Sequence, residues 1–150
     1  SLYKDLAVLE KLTAFLPSRE EVEALWAPED LLKWVTETSS RYDCTIAVKL
    51  SEKGSIVAAP GEERGSYVPA YPLAAVDTTG AGDGYCGGFL AGLAQGRPVL
   101  ECAAMGTVSA SYVVEVYGAL DTRLPTAEER RSRLETVMKG ARTGIDMIPQ

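Results

Sequence analysis

Two aspartates bracket a run of small residues near the middle of the chain, in the segment Asp77-Thr78-Thr79-Gly80-Ala81-Gly82-Asp83. The two glycines and the alanine let the backbone approach a ligand closely, because no large side chain stands in the way. A helix is expected to begin near residues 81–83, and its first N–H groups and positive dipole end favour an anion. Asp83 would lie beside that anion, where a carboxylate accepts a proton from a hydroxyl group. The segment therefore favours phosphoryl transfer, although an ordinary helix start would also place an acid at Asp83.

The same segment, followed by Gly87-Gly88-Phe89, resembles the C-terminal signature of the ribokinase-like (PfkB) carbohydrate kinases. The resemblance extends over residues 12 to 125 and implies an α/β fold, with a layered ribokinase-like sheet flanked by helices. It also implies that Asp83 is the catalytic base. In the loop that Gly80 begins, the N–H groups of Ala81, Gly82 and Asp83 would then form the anion hole for the transferred phosphoryl group.

A second segment, Lys49-Leu50-Ser51-Glu52-Lys53-Gly54, follows an expected strand and resembles the nucleotide-phosphate loop of that family. Ser51 stands where the family commonly has glycine, and serine tolerates unusual backbone angles less well. By this resemblance Lys49, Ser51 and Gly54 would contact the phosphates of ATP, with Lys49 acting as a point charge. The alternative is an ordinary hairpin turn between two strands.

The resemblance also implies two cation sites. Ser18-Arg19-Glu20-Glu21 aligns with a family motif that organises Mg²⁺, so Glu21 would act on Mg²⁺ through water; the same four residues also fit a helix capping box. Beside the anion hole, carbonyl oxygens and one carboxylate would bind a monovalent cation such as K⁺, because oxygen ligands suit hard cations. Its ligands would be Asp77, Thr79, Val113, Gly118 and Thr122. The alternative for Gly118 is a plain helix-ending glycine.

Four residues are assigned to the nucleotide by the same resemblance. Gly106 and Thr107 would lie on the helix that lines the adenine base, and Thr79 and Gly118 would also contact the nucleotide.

The composition, with 46% hydrophobic and 24% charged residues, is that of an ordinary globular domain. The formal net charge of −6 argues against a nucleic-acid partner, and no apolar run is long enough to cross a bilayer, which argues against a membrane partner. The sequence has no histidine, which removes imidazole-based triads and metal sites. Cys44, Cys86 and Cys102 have no metal-binding spacing and are interpreted as reduced thiols of a cytoplasmic protein.

Hydrophobic spacing predicts strands alternating with helices, which is typical of an α/β sheet. Helices are expected at 4–12, from Ser18, from a first turn containing Pro28, and at 82–95, 98–116 and 126–139; strands at 13–17, 44–48 and 55–58; and an extended edge at 67–75. Trp26 and Trp34 are expected in the core. The charges of the last helix are interpreted as a solvated face, and the tail after Gly140 as loosely held.

Members of the family are about twice as long as this chain, so residues 1–150 are interpreted as the C-terminal nucleotide-binding and catalytic part of the domain. The N-terminal half and its lid, through which a homodimer would form, would be absent. The main hypothesis is an ATP- and Mg²⁺-dependent kinase acting on a small-molecule sugar or nucleoside. The alternatives are a nucleotide-binding fragment without catalytic activity of its own, and a structural partner whose glycine-rich loop is vestigial.

Overall fold

The structure, a computed structural model, describes residues 5–149. Residues 1–4 and 150, which the predicted domain 1–150 includes, lie outside the described residues. The described chain divides into two compact units. The first unit runs to Tyr67 and takes up the chain again at Arg142, and the second unit is Val68–Ala141.

Four strands form one sheet in the order β1 (Ala14–Phe15), β2 (Thr45–Lys49), β3 (Ser55–Ala58) and β4 (Ser66–Val68). β1 is parallel to β2, while β2 and β3 form an antiparallel hairpin in which Ala47 is opposite Val57. All of β3 is buried, and β2 is buried except at Lys49. The predicted apolar strand and its hairpin partner are therefore confirmed, and they form the centre of the sheet.

Two helices of the first unit begin at side-chain caps. Helix α1 (Arg19–Leu25) follows Ser18, and helix α2 (Leu31–Tyr42) follows Asp30, whose carboxylate accepts a hydrogen bond from the Lys33 N–H. α2 buries one apolar face and packs against β2 and β3. Trp26 and Trp34 stack at 5.4 Å between ring centroids and pack, partly buried, against the core, as the sequence predicts.

The second unit contains helices α3 (Ala81–Ala94), α4 (Val99–Val113) and α5 (Ala127–Gly140). α3 and α4 pack closely because Gly84, Gly88 and Gly92 lie on one face of α3, four residues apart. A Cβ atom on Gly88 would lie 2.5 Å from the Met105 carbonyl oxygen, and one on Gly92 would lie 2.9 Å from the Cys102 Sγ. Glycine weakens an isolated helix, so this close approach explains why α3 contains so many.

Several predicted boundaries are wrong. Pro28 lies before α2 rather than in its first turn, because Asp30 provides the cap. The segment 67–75 was expected to be extended, but the strand there, β4, ends at Val68. Pro69 follows and has no N–H group to donate to a neighbouring strand. α4 ends at Val113 rather than at 116. The segment expected as a helix at 4–12 is a 3₁₀ helix at Leu6–Lys11.

The residues after α5 are not loosely held. Arg142 pairs with Tyr67 through two backbone hydrogen bonds of 2.8 and 2.9 Å, and the Ile145 N–H donates to the Gly65 carbonyl oxygen at 2.9 Å. Ile145 and Ile148 pack, partly buried, against the core of the first unit. The chain therefore returns to the first unit and completes it.

Within residues 5–149, no helix is both long and apolar enough to cross a membrane. Cys44 and Cys102 are buried thiols that form no disulfide, and burial raises the pKa of both.

Candidate active site

Helix α3 begins at Gly80, inside the segment that carries the two aspartates. Gly80 has φ of 81°, in the left-handed region, and is the N-cap of this 14-residue helix. The first intrahelical bond is donated by the Gly84 N–H to the Gly80 carbonyl oxygen at 2.9 Å. The N–H groups of Gly82 and Asp83 therefore lie in the first turn, where a helix has no acceptor of its own. Together with the helix dipole, they form an arrangement that favours an anion.

The N–H group of Ala81, which the resemblance implied as a third donor of the anion hole, is bonded within the protein instead. It donates to the Thr78 carbonyl oxygen at 3.1 Å and so closes the turn that precedes α3. Asp83, in contrast, is exposed, and its carboxylate belongs to the same helical turn as the N–H groups of Gly82 and Asp83. The first turn of α3 therefore combines two hydrogen-bond donors with one carboxylate.

Glycine is required at position 80 for two independent reasons. Its left-handed φ is unfavourable for any residue with a Cβ atom. In addition, a Cβ atom at this position would lie 2.7 Å from the Ala119 Cβ and 3.5 Å from the Val113 Cγ1. The start of α3 is therefore packed directly against the end of α4 and the segment that follows it.

Asp77 joins the loop before α3 to that same segment. Its Oδ1 accepts a hydrogen bond from the Thr79 N–H at 2.9 Å, and its Oδ2 accepts one from the Gly118 N–H at 3.0 Å. These bonds, with the Thr79 N–H contributing most, lower the pKa of Asp77 because they stabilise its charged form. One ionised carboxylate therefore holds together two loops that are 41 residues apart.

The predicted cation ligands lie in these two loops and at the end of α4. Asp77, Thr79 and Gly118 are joined by the bonds just described, Val113 lies near Gly80, and the Thr122 hydroxyl donates to the Ala119 carbonyl oxygen at 3.0 Å. Among residues 5–149, no group of three or more His, Cys, Asp or Glu side chains could hold a metal ion. A cation here would therefore depend mainly on carbonyl oxygens, which suit hard cations.

Gly106 and Thr107, the residues assigned to the adenine base, lie in the middle of α4. Both are buried, and a Cβ atom on Gly106 would lie 2.8 Å from the Tyr85 carbonyl oxygen. Contact between α3 and α4 therefore explains the glycine at position 106.

The predicted phosphate loop belongs to the first unit and connects β2 to β3. Ser51 has φ of 56°, a left-handed conformation that glycine adopts more easily, and Gly54 has φ of 97°. The Gly54 N–H donates to the Ser51 carbonyl oxygen at 3.1 Å, so the segment is a tight hairpin connection. The backbone thus keeps a glycine-like conformation at Ser51, although the side chain differs from the family pattern.

Glu21 forms the capping box that its spacing predicts. Its Oε2 accepts a hydrogen bond from the Ser18 N–H at 2.7 Å, and the Ser18 Oγ accepts one from the Glu21 N–H at 3.2 Å. The hydrogen bond from the Ser18 backbone is the main cause that lowers the pKa of Glu21, and the charge of Lys49 adds to it. The structure therefore brings Glu21 and Lys49 near each other in the first unit.

Arg133, which was expected on the solvated face of the last helix, is largely buried instead. Its guanidinium lies 3.8 Å from the ring centroid of Tyr112 and 4.6 Å from that of Tyr71. It also donates to the Ser111 Oγ at 2.8 Å and pairs with Glu115. Arg133 precedes the buried Val137 by four residues. Residues four apart share a helix face, so this spacing indicates that Arg133 faces inward.

The family described as pfkB family carbohydrate kinase matches residues 3–127. The chain belongs to the PfkB family of carbohydrate kinases. An uncharacterized sugar kinase of Archaeoglobus fulgidus is 35% identical over 114 residues, which are 75% of this chain and 44% of that protein. The cytidine kinase of Thermococcus kodakarensis is 37% identical over 111 residues, which are 74% of this chain and 40% of that protein.

The fold of this PfkB chain also matches a solved structure. The nucleoside kinase of Methanocaldococcus jannaschii, described as an archaeal member of the ribokinase family, superimposes with a TM-score of 0.69 at 27% identity. The match covers 86% of this chain and 42% of that structure. The ribokinase-like α/β fold predicted from the sequence is thus confirmed, and the chain spans less than half the length of the relatives it matches.

Proposed function

We propose that this chain is the phosphate-binding and proton-accepting part of an ATP-dependent kinase that phosphorylates a hydroxyl group of a sugar or nucleoside. One observation carries the proposal: the first turn of α3 combines the N–H groups of Gly82 and Asp83 with the Asp83 carboxylate. Membership of the PfkB family supports it.

The proposed chemistry needs few groups. The acceptor hydroxyl oxygen attacks the γ-phosphorus of ATP, its proton passes to the Asp83 carboxylate, and the bond to the bridging oxygen breaks to release ADP. The N–H groups of Gly82 and Asp83 and the dipole of α3 stabilise the charge on the transferred phosphoryl group. Gly80 and Ala81 hold the loop in the conformation that directs those donors outward.

Other residues are proposed to hold the nucleotide and its cations. Lys49, Ser51 and Gly54 would contact phosphates, Thr79 and Gly118 would also contact the nucleotide, and Gly106 and Thr107 would form part of the adenine side. Mg²⁺ would neutralise phosphate charge when bound, with Glu21 acting through water. A monovalent cation such as K⁺ would be held by Asp77, Thr79, Val113, Gly118 and Thr122.

The second candidate function is nucleotide binding without catalysis by this chain alone. The chain covers only 44% and 40% of the two relatives described above. This coverage favours the alternative, because an acceptor pocket and a lid would have to come from elsewhere. Without a lid, water is not excluded from the reacting groups, and electrostatic stabilisation is weaker. The proposed partners are a small-molecule acceptor and, through a lid outside these residues, a second copy; the proposed location is the cytoplasm.

Two variants test the proposal. Asp83→Asn is expected to leave ATP affinity within a few-fold and to reduce acceptor-dependent ADP release by about 10²–10⁴-fold, the usual contribution of a general base. Gly82→Val is expected to weaken ATP binding more than it lowers the stability of the fold, because a β-branched side chain crowds the anion hole. ADP release would be measured with ribose, fructose, adenosine and cytidine, and binding by calorimetry.

The outcomes separate the two functions. Turnover that depends on Asp83 supports the kinase, whereas ATP binding that depends on Gly82 without turnover by this chain supports the binding alternative. ATP affinity that is unchanged in a stable Gly82→Val protein would show that phosphate does not bind at the start of α3.

A further inference from the structure

A cleft of about 620 Å³ lies within the second unit, between α3, α4, the segment 122–125 and the beginning of α5. On α3 it is lined by Gly87 and Ala91, and no atom of another element lies within 4 Å of the position that a Cβ on Gly87 would take. Its walls are mostly apolar and include Met105, Val108 and Leu134. Small-molecule sites have this range of volume and this apolar character.

One buried polar group in the cleft lacks a partner. Tyr112 lines the cleft with only 5% of its surface exposed, and its hydroxyl oxygen is buried without a hydrogen bond in the part of the chain that the structure describes. A buried hydroxyl without a partner is unfavourable, so such groups are usually satisfied by a ligand or an ordered water molecule. The ring itself is fixed by the Arg133 guanidinium, 3.8 Å from its centroid.

The charged residues of the cleft favour an anion. Four arginines and one glutamate line it, although the whole chain carries a formal charge of −6. Arg97 pairs with Glu101, Arg123 pairs with Glu129, and Arg130 donates to the Pro125 carbonyl oxygen at 2.9 Å. Arg131 makes no ion pair with any of residues 5–149, so its charge is available to a ligand.

We infer that this cleft binds a small organic anion, with an apolar body between α3 and α4 and one phosphate or carboxylate group near Arg131. A polar atom of the ligand would complete the hydrogen bonding of the Tyr112 hydroxyl. This site differs from the anion hole of the proposed kinase. The cleft lies along the side of α3 from Gly87 onward, whereas the anion hole is formed by the first turn of α3.

Calorimetry with the 150-residue chain tests this site. The ligands are two anions, 1-naphthyl phosphate and 1-naphthoate, and the uncharged 1-naphthol. Both anions are expected to bind more tightly than 1-naphthol. Tyr112→Phe and Arg131→Gln are each expected to weaken the anions about tenfold, as for a hydrogen bond to a charged group. Lys139→Gln, which removes a charge from α5 outside the cleft, is the matched control and is expected to have no effect.

Two further measurements keep the inference separate from folding and from the kinase proposal. Tyr112→Phe is expected to raise the melting temperature of the ligand-free protein by about 2–4 °C, because it removes an unsatisfied buried hydroxyl. Gly82→Val, which crowds the anion hole at the start of α3, is expected to leave the affinity for 1-naphthoate unchanged.

Three results would overturn the inference. The first is equal affinity of the chain for 1-naphthol and for the two anions. The second is unchanged affinity for the anions in both Tyr112→Phe and Arg131→Gln. The third is a lower melting temperature of Tyr112→Phe together with unchanged binding of the anions. A dimer in solution that Leu124→Asp dissociates would instead show that a second copy of the chain covers the cleft.

Discussion

Gly80 determines the backbone conformation from which α3 begins, and a substitution can test this role. Alanine at this position would have to adopt φ near 81°, where a Cβ atom is unfavourable, and would lie 2.7 Å from the Ala119 Cβ. Gly87 is the matched control, since it lies in the same helix with open space around it.

We expect Gly80→Ala to lower the free energy of unfolding by about 1–2 kcal/mol from the left-handed conformation alone, with the contact to Ala119 adding to the loss. Gly87→Ala should instead raise it by about 0.5–1 kcal/mol, because alanine is the better helix former. Denaturant unfolding of both variants measures the difference. Equal stabilities for the two variants would contradict the structural account of Gly80.

Single residues also show what the sequence could and could not predict. The glycine-rich start of α3 and the capping role of Glu21 follow from local spacing, so both could be predicted. The contact of Gly80 with Ala119, and the hydrogen bond from Gly118 to Asp77, depend on residues about 40 positions away. Local patterns do not contain such contacts, and only the family resemblance pointed to Gly118.

At the scale of elements, α1 and α5 begin with the same device. Ser18 with Glu21, and Thr126 with Glu129, each form a capping box in which both partners exchange hydrogen bonds. Glu129 also pairs with Arg123 through two hydrogen bonds of 2.5 and 3.1 Å. The hydrogen bond from the Arg123 side chain is the largest cause that lowers the pKa of Glu129 to about 2.

This pKa gives α5 a defined response to acid. Because the folded-state pKa of Glu129 lies below the ordinary value of 4.5, its contribution to stability is fully present above pH 4.5 and is lost as the pH falls towards 2. We expect the melting-temperature difference between the wild type and Glu129→Gln to be constant from pH 7 to pH 5 and to vanish near pH 2. Glu128→Gln, in the same helical turn but outside the capping box, is the control. A difference that persists at pH 2 would contradict the assignment.

The elements themselves were predicted unevenly, for physical reasons. The helices α3 and α5 were placed within one residue at each end, because glycine-rich and capping signals mark their boundaries. The beginning of α2 was missed since proline suits a first turn, yet Asp30 caps the helix two residues later. The burial of Arg133 was missed because charge alone suggested a solvated face, whereas two tyrosine rings stabilise it.

At the scale of the whole molecule, the chain builds one of its units from two separate stretches. The segment from Arg142 onward completes the first unit, although its position at the end of the chain suggested a loosely held tail. Its Ile145 N–H donates to the Gly65 carbonyl oxygen, and Ile145 and Ile148 pack against the core. The last residues are therefore expected to contribute to stability rather than to fray.

A variant that ends at Ala141 tests this contribution. Loss of two partly buried isoleucines should lower the free energy of unfolding by about 2 kcal/mol, which corresponds to a fall in melting temperature of about 4–8 °C for a chain of this size. The double variant Ile145→Ser, Ile148→Ser should reproduce most of the fall if packing is its cause. Met147→Ser, at a residue that is 76% exposed, should change the melting temperature by less than about 1 °C. If the shortened chain melts at the wild-type temperature, the tail contributes nothing to the first unit and is held only loosely.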